Sequence, residues 1–138
     1  MLKKFVALSV LSFFVAVGCG GAKYSDAKKV MSSQIEAMEK FASAMEKVSS
    51  GKDVADAIKA YSDDMKELVP QMNELSKKYP ELSGKEQPAE LKDLMEKTEG
   101  IAKKFAGALM KASIKYAKDP EVGKALKEMG EVMRGIQK

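Results

Sequence analysis

The stretch DVADAIKAYSDDMKELVPQMNELSKKY, Asp53 to Tyr79, decides the fold. Val54, Ile58, Tyr61, Met65, Leu68, Met72, Leu75 and Tyr79 follow one another in alternating steps of four and three. That spacing returns side chains to one face of a 3.6-residue helix, whereas a strand would need alternation by two. One long amphipathic helix is therefore predicted over 53–79. Pro70 interrupts it, and because proline removes a backbone donor and crowds the preceding turn, a kink over Leu68 to Pro70 is expected, not a new domain.

The same periodicity extends outward on both sides. Before it, Met31, Gln34, Met38, Phe41, Met45 and Val48 mark a helix over 26–48 with Ser25 as its cap, stopped by Ser49-Ser50-Gly51. After it, Pro80 to Gln87 reads as the longest loop. Pro88 opens a third helix, over 88–118, with Leu91, Leu94, Thr98, Ile101, Phe105, Leu109 and Ala112 facing inward. Ala102, Ala106, Gly107, Ala108 and Ala112 make its second half narrow enough for close approach. Asp119-Pro120-Glu121 is a helix start, an aspartate cap followed by proline and an acid at the positive helix end. The fourth helix, over 120–137, carries Val122, Leu126, Met129, Met133 and Ile136. The fold class is all-α: an up-and-down bundle of three long helices and a shorter fourth, packed near 20°. The domain it forms is placed at 25–138.

Composition agrees. The 138 residues are 32% charged and only 7% aromatic, and Ala, Lys, Glu and Met, all helix formers, dominate. The formal net charge is +4, and it falls to +2 without Lys3 and Lys4. Lys and Glu are interspersed along each segment, so no basic stripe of the kind that binds nucleic acid is read. No nucleic-acid partner is expected.

The first nineteen residues differ from the rest. Met1-Leu-Lys-Lys4 is cationic, and Phe5 to Val17 is an uncharged, mainly apolar run too short to cross a bilayer, which needs about 20 residues. Together they have the plan of a secretory signal peptide. The run ends Ala16-Val17-Gly18-Cys19-Gly20-Gly21, which resembles the lipobox of bacterial lipoproteins; Ala16 stands where that family most often has Leu. The resemblance covers about the first 20 residues. It implies recognition of Ala16, Val17 and Gly18 by the lipoprotein signal peptidase, cleavage of 1–18, and diacylglycerol on the Cys19 thiol with acylation of the new amino group. Ala-Val-Gly also fits ordinary secretory cleavage at the same bond, which would leave Cys19 as an unpaired thiol. Residues 19–24 then form a short flexible tether. Gly20, in place of the Asp that resembles an inner-membrane retention signal, implies the outer membrane in a Gram-negative cell.

Chemistry-bearing residues are few. The chain has no His and a single Cys, so a covalent haem site, disulfide exchange, an ordinary zinc site and a His-based triad are excluded, and no enzymatic activity is expected. No cofactor and no metal site is assigned. Ten methionines are the unusual feature; Met31, Met38, Met45, Met65, Met72, Met129 and Met133 share inward seams. Thioethers select Cu(I), which makes a copper-holding bundle one reading, while Met as filler of an irregular core is the more ordinary one. The same seams would line a cavity for an apolar ligand such as a lipid or haem. Asp63-Asp64, Asp53 with Asp56, and Glu36 with Glu39 read as solvated faces, with Glu36 to Lys40 and Glu99 to Lys103 in the i, i+4 order that supports exposed helices. Tyr24, Tyr61, Tyr79 and Tyr116 read as core-edge residues. The expected function is a non-enzymatic interaction protein of the envelope, held to membrane lipid through Cys19 and binding an envelope or host protein.

Overall fold

The computed structural model describes residues 23–137. Cys19, the expected cleavage-site residues Ala16, Val17 and Gly18, and most of the expected tether over 19–24 lie outside them. The described residues form an all-α bundle of four helices: α1 (Ser25–Met45), α2 (Gly51–Lys78), α3 (Lys92–Lys115) and α4 (Pro120–Arg134), with short 3₁₀ turns at Pro80–Ser83, Ala89–Leu91 and Gly135–Gln137. No helix among them is long and apolar enough to cross a membrane.

Helix ends follow local chemistry. Ser50 and Asp53 form a capping box at the start of α2: Ser50 Oγ accepts from Asp53 N at 3.1 Å, and Asp53 Oδ2 accepts from Ser50 N at 3.0 Å. Asp119 caps α4, its Oδ1 accepting from the amides of Glu121 at 2.9 Å and Val122 at 3.4 Å, with Pro120 in the first turn. Ser25 is not the cap of α1. The helix begins one residue earlier in its geometry, at Tyr24, which makes no side-chain cap bond, while Asp26 Oδ1 takes the Ala27 amide. Pro88 precedes a 3₁₀ turn, so α3 starts at Lys92. The α2 helix runs unbroken through Pro70, which lies on its exposed side.

The helices alternate in direction along the chain, and they pack α1 on α2, α3 on α1, and α4 on α2. The two later helices thus lie on opposite flanks of a central hairpin. This arrangement explains their unequal burial. Between two neighbours, α2 buries Val54, Ala55, Ala57, Ile58, Tyr61, Ser62, Met65, Leu68 and Val69 besides Gly51; α3, resting chiefly on α1, fully buries Ala112 alone. Ser62 is the buried polar exception, and its hydroxyl donates to the Ile58 carbonyl at 2.9 Å. Phe105 of α3 reaches across to α2, its ring centroid 4.5 Å from Phe41 and 4.6 Å from Tyr61. Tilted ring contacts of this kind add about 0.5–1.5 kcal/mol beyond the buried area.

A second, smaller core closes the end where α1 begins and α2 finishes. Tyr24, Ala27, Tyr79 and Leu91 are buried there, with Met31, Leu75, Leu82 and Met95 packed around them. Because Leu91 enters this cluster, α3 begins level with α1 and runs parallel to it.

Candidate functional site

Three places merit description: the end where α1 begins, the methionine seams, and the cleft between α1 and α3.

At the end where α1 begins, Lys23 is part of the folded structure. The Tyr79 hydroxyl shares its proton between the Lys23 carbonyl oxygen at 2.7 Å and Asp26 Oδ1 at 2.9 Å. Glu81 Oε1 accepts from Lys23 Nζ and from the Tyr24 hydroxyl, both at 2.9 Å. Lys78 pairs with Asp26, and the Tyr24 and Tyr79 rings stand 5.1 Å apart. The Lys23 hydrogen bond, with help from the Glu81 amide and the Tyr24 hydroxyl, draws the Glu81 carboxyl down to about 2, and the same partner raises Lys23. Burial alone would raise Asp26, but Lys78, Tyr79 and the Ala27 amide outweigh it and hold the carboxyl low. These contacts join residues more than fifty apart in sequence, so no local pattern announces them.

The methionines divide between the two cores. Met38, Met45 and Met65 are buried in the larger one, Met65 completely, and Met72, Met129 and Met133 pack against it half-buried. Met31 belongs to the smaller core at the end where α1 begins. Six of the seven seam positions thus share one apolar cluster while the seventh is apart. Their neighbours are Phe41, Tyr61, Ile58 and Val54, which is a packed interior.

The carboxylates read as solvated faces are engaged individually. Asp53 is held low chiefly by the Ser49 amide, then by the Ser49 and Ser50 hydroxyls. Asp56 pairs with Lys52 at 2.8 Å, Asp63 with Lys66 at 2.9 Å, Glu36 with Lys40 at 3.0 Å, and Glu99 with Lys103 at 3.0 Å. Glu39 reaches across to Lys97 of α3 at 3.5 Å. Among the described residues no three His, Cys, Asp or Glu side chains stand close enough to hold a metal ion. Tyr61 is pushed up by burial against Phe41 and Phe105.

The cleft lies between the C-terminal halves of α1 and α3. Its floor is apolar, from Ala42, Met45 and Val48 on one side to Ala108, Ala112 and Tyr116 on the other, and it encloses about 650 Å³ while remaining open to solvent. Its α3 rim carries Lys103, Lys104, Lys111 and Lys115, against the single acid Glu46 on the α1 rim. The small residues Gly107 and Ala108, noted in the sequence as a narrow stretch, form part of its wall. The buried Tyr116 hydroxyl has no hydrogen-bond partner among the described residues. An acid-free lysine rim over an apolar floor suits an amphipathic anion. The signal for it was in the sequence as the lack of any acid between Glu99 and Asp119.

Compared with protein-family models, with curated proteins and with solved structures, the chain matches none.

Proposed function

We propose that this protein is a non-enzymatic interaction module of the bacterial envelope, anchored by lipid on Cys19, in the outer membrane where the cell has one, and presenting its helical bundle to an envelope or host protein. The observation that carries the reading is the tie at Lys23. Only Gly20, Gly21 and Ala22 separate it from Cys19, a span of four residues that reaches about 14 Å at full extension. Lys23 itself is bonded through its carbonyl to Tyr79 and through its amine to Glu81. A lipid at Cys19 would thus hold the folded bundle against the bilayer. Two or three acyl chains make such an anchor stable where one would not.

The test is intact-mass analysis of membrane fractions from cells expressing the wild type and Cys19→Ala. The expected result is a wild-type chain beginning at Cys19 with added diacylglycerol and acyl mass, and a variant that leaves the membrane or stays unprocessed. A bare Cys19 on a freely soluble chain overturns the reading.

A second reading, a carrier of an apolar ligand, is favoured by one observation, the apolar floor of the α1–α3 cleft with the unpartnered Tyr116 hydroxyl beside it. Native mass spectrometry of protein purified from its own host separates the two, because a carrier retains a small molecule and an interaction module does not.

A further inference from the structure

We propose that the outward face of α3 is a second attachment point, which docks on the anionic lipid surface beneath the tether so that the bundle lies on its side with α3 against the bilayer. The inference rests on the anchoring reading above for the identity of that surface.

Charge is the first argument. Within the helical bundle the interspersion of Lys and Glu fails over one long stretch: from Gly100 to Lys118 there are five lysines, Lys103, Lys104, Lys111, Lys115 and Lys118, and no acid. All five are exposed. Among the described residues, Lys103 alone of the five forms an ion pair, back to Glu99. Glu46 on the α1 rim is the acid that faces this group across the cleft.

Shape and polarity are the second. Lys103, Gly107, Met110 and Ile114 follow one another in steps of four, three and four, so they form one line along the helix, opposite the line of Phe105 and Ala112 that meets the core. Met110 is 64% exposed and Ile114 73%, the large apolar side chains left uncovered among the described residues. Apolar residues in a low-relief line, with Lys104, Lys111 and Lys115 along its cleft side, suit a helix that lies in a membrane interface, side chains dipping below the headgroups and amines at phosphate level.

Reach is the third. The tether leaves from the start of α1, and α1 packs directly on α3. With helix axes about 8–10 Å apart and about 5 Å more from the α3 axis to its outer surface, the docking face is about 13–15 Å from the start of α1, which the tether spans only when drawn out to its full length of roughly 14 Å. In an upright bundle, Lys111 would stand some twenty residues of helix rise beyond Leu91, about 30 Å from the tether end, and out of contact with the surface.

The experiment uses the processed, membrane-extracted protein carrying Met110→Cys, labelled with a nitroxide and reconstituted into vesicles of phosphatidylcholine alone or with about a third phosphatidylglycerol. Lys124→Cys on α4, also exposed, is the control. Collision of the label with dissolved oxygen and with a water-soluble paramagnetic complex reports its depth. Docking places the label at 110 among acyl chains on the anionic vesicles while the label at 124 stays in water. Replacing Lys104 and Lys111 by Ala lowers the docked-to-undocked ratio about fivefold for each lysine removed. A label at 110 that stays in water on anionic vesicles overturns the proposal and leaves the face to an acidic protein partner. The mass of the labelled protein keeps this distinct from the anchor: a lipidated Cys19 is blocked, so one nitroxide is added, whereas two mean that the anchoring reading has failed. In that case the secreted Cys19→Ala chain is added to the same vesicles from solution, and the label at 110 decides by the same criterion.

Discussion

The Tyr79 hydroxyl reaches the main-chain carbonyl of Lys23 at 2.7 Å, closing the end of α2 over the start of α1. Replacing Tyr79 by Phe keeps the ring against Tyr24 and removes the hydroxyl from both Lys23 and Asp26. The expected cost is about 1–1.5 kcal/mol, the net worth of a partly buried hydrogen bond with one charged acceptor. Denaturant unfolding checks the magnitude. Hydrogen exchange checks the location, with faster exchange confined to the first turn of α1.

Acid acts on the same place. The Glu81 carboxyl is lowered to about 2 from an ordinary 4.5, and Asp26 is lowered as well. A carboxyl that is depressed in the folded state contributes its stability above its unfolded value and loses it as pH falls toward the folded one. The tether end is therefore expected to loosen between about pH 4.5 and 2, seen as a loss of tyrosine near-ultraviolet dichroism, and Glu81→Gln removes most of that pH dependence. Both groups are at the surface, so high salt diminishes the effect.

Met65 has no exposed surface. Truncation to Ala leaves a cavity between α1 and α2 and is expected to cost about 3 kcal/mol, whereas Met65→Leu, which conserves volume, costs less than about 1.5 kcal/mol. A thioether ligand would be indifferent to that distinction. Titration with Cu(I) under reducing conditions, compared between wild type and Met65→Leu, is expected to show no tight binding in either.

Gly51 faces Asp119, and a β-carbon added there would lie 1.9 Å from Asp119 Oδ2. Gly51→Ala therefore displaces the carboxylate that caps α4 and is expected to destabilise by about 1 kcal/mol, the lost cap exceeding the helix propensity gained. In an Asp119→Gly background, which removes the carboxylate and also the β-carbon that would stand 3.2 Å away, the same change gains about 0.5 kcal/mol, because only the propensity remains. A double-mutant cycle by thermal unfolding reads this change of sign.

The seam from Val54 to Tyr79 was legible in advance because a helix between two neighbours buries a regular stripe; every residue of it is buried or half-buried, and Asp119 announced α4 through its own cap. Which helices meet was not legible, since amphipathic stripes fix the inward face and not the partner. Phe105 had the right phase, but its place between Phe41 and Tyr61 depends on α3 lying beside α1. Ser25 failed as a cap because Tyr79 draws the turn before it inward and Asp26 takes the free amide instead. The lysine rim was present in the sequence and was lost in the average over the chain, where acids elsewhere balance it.

The packing of α3 and α4 on opposite flanks of the α1–α2 hairpin also sets the order in which the molecule assembles. The hairpin closes over the few residues between Met45 and Gly51, while each outer helix must return across about 60 residues of chain, so the local pair forms first and serves as the template. Neither outer helix waits for the other. With Ala112 alone fully buried, against Val122 and Ala125 in α4, α3 is the helix expected to detach first, while the hairpin and α4 remain folded.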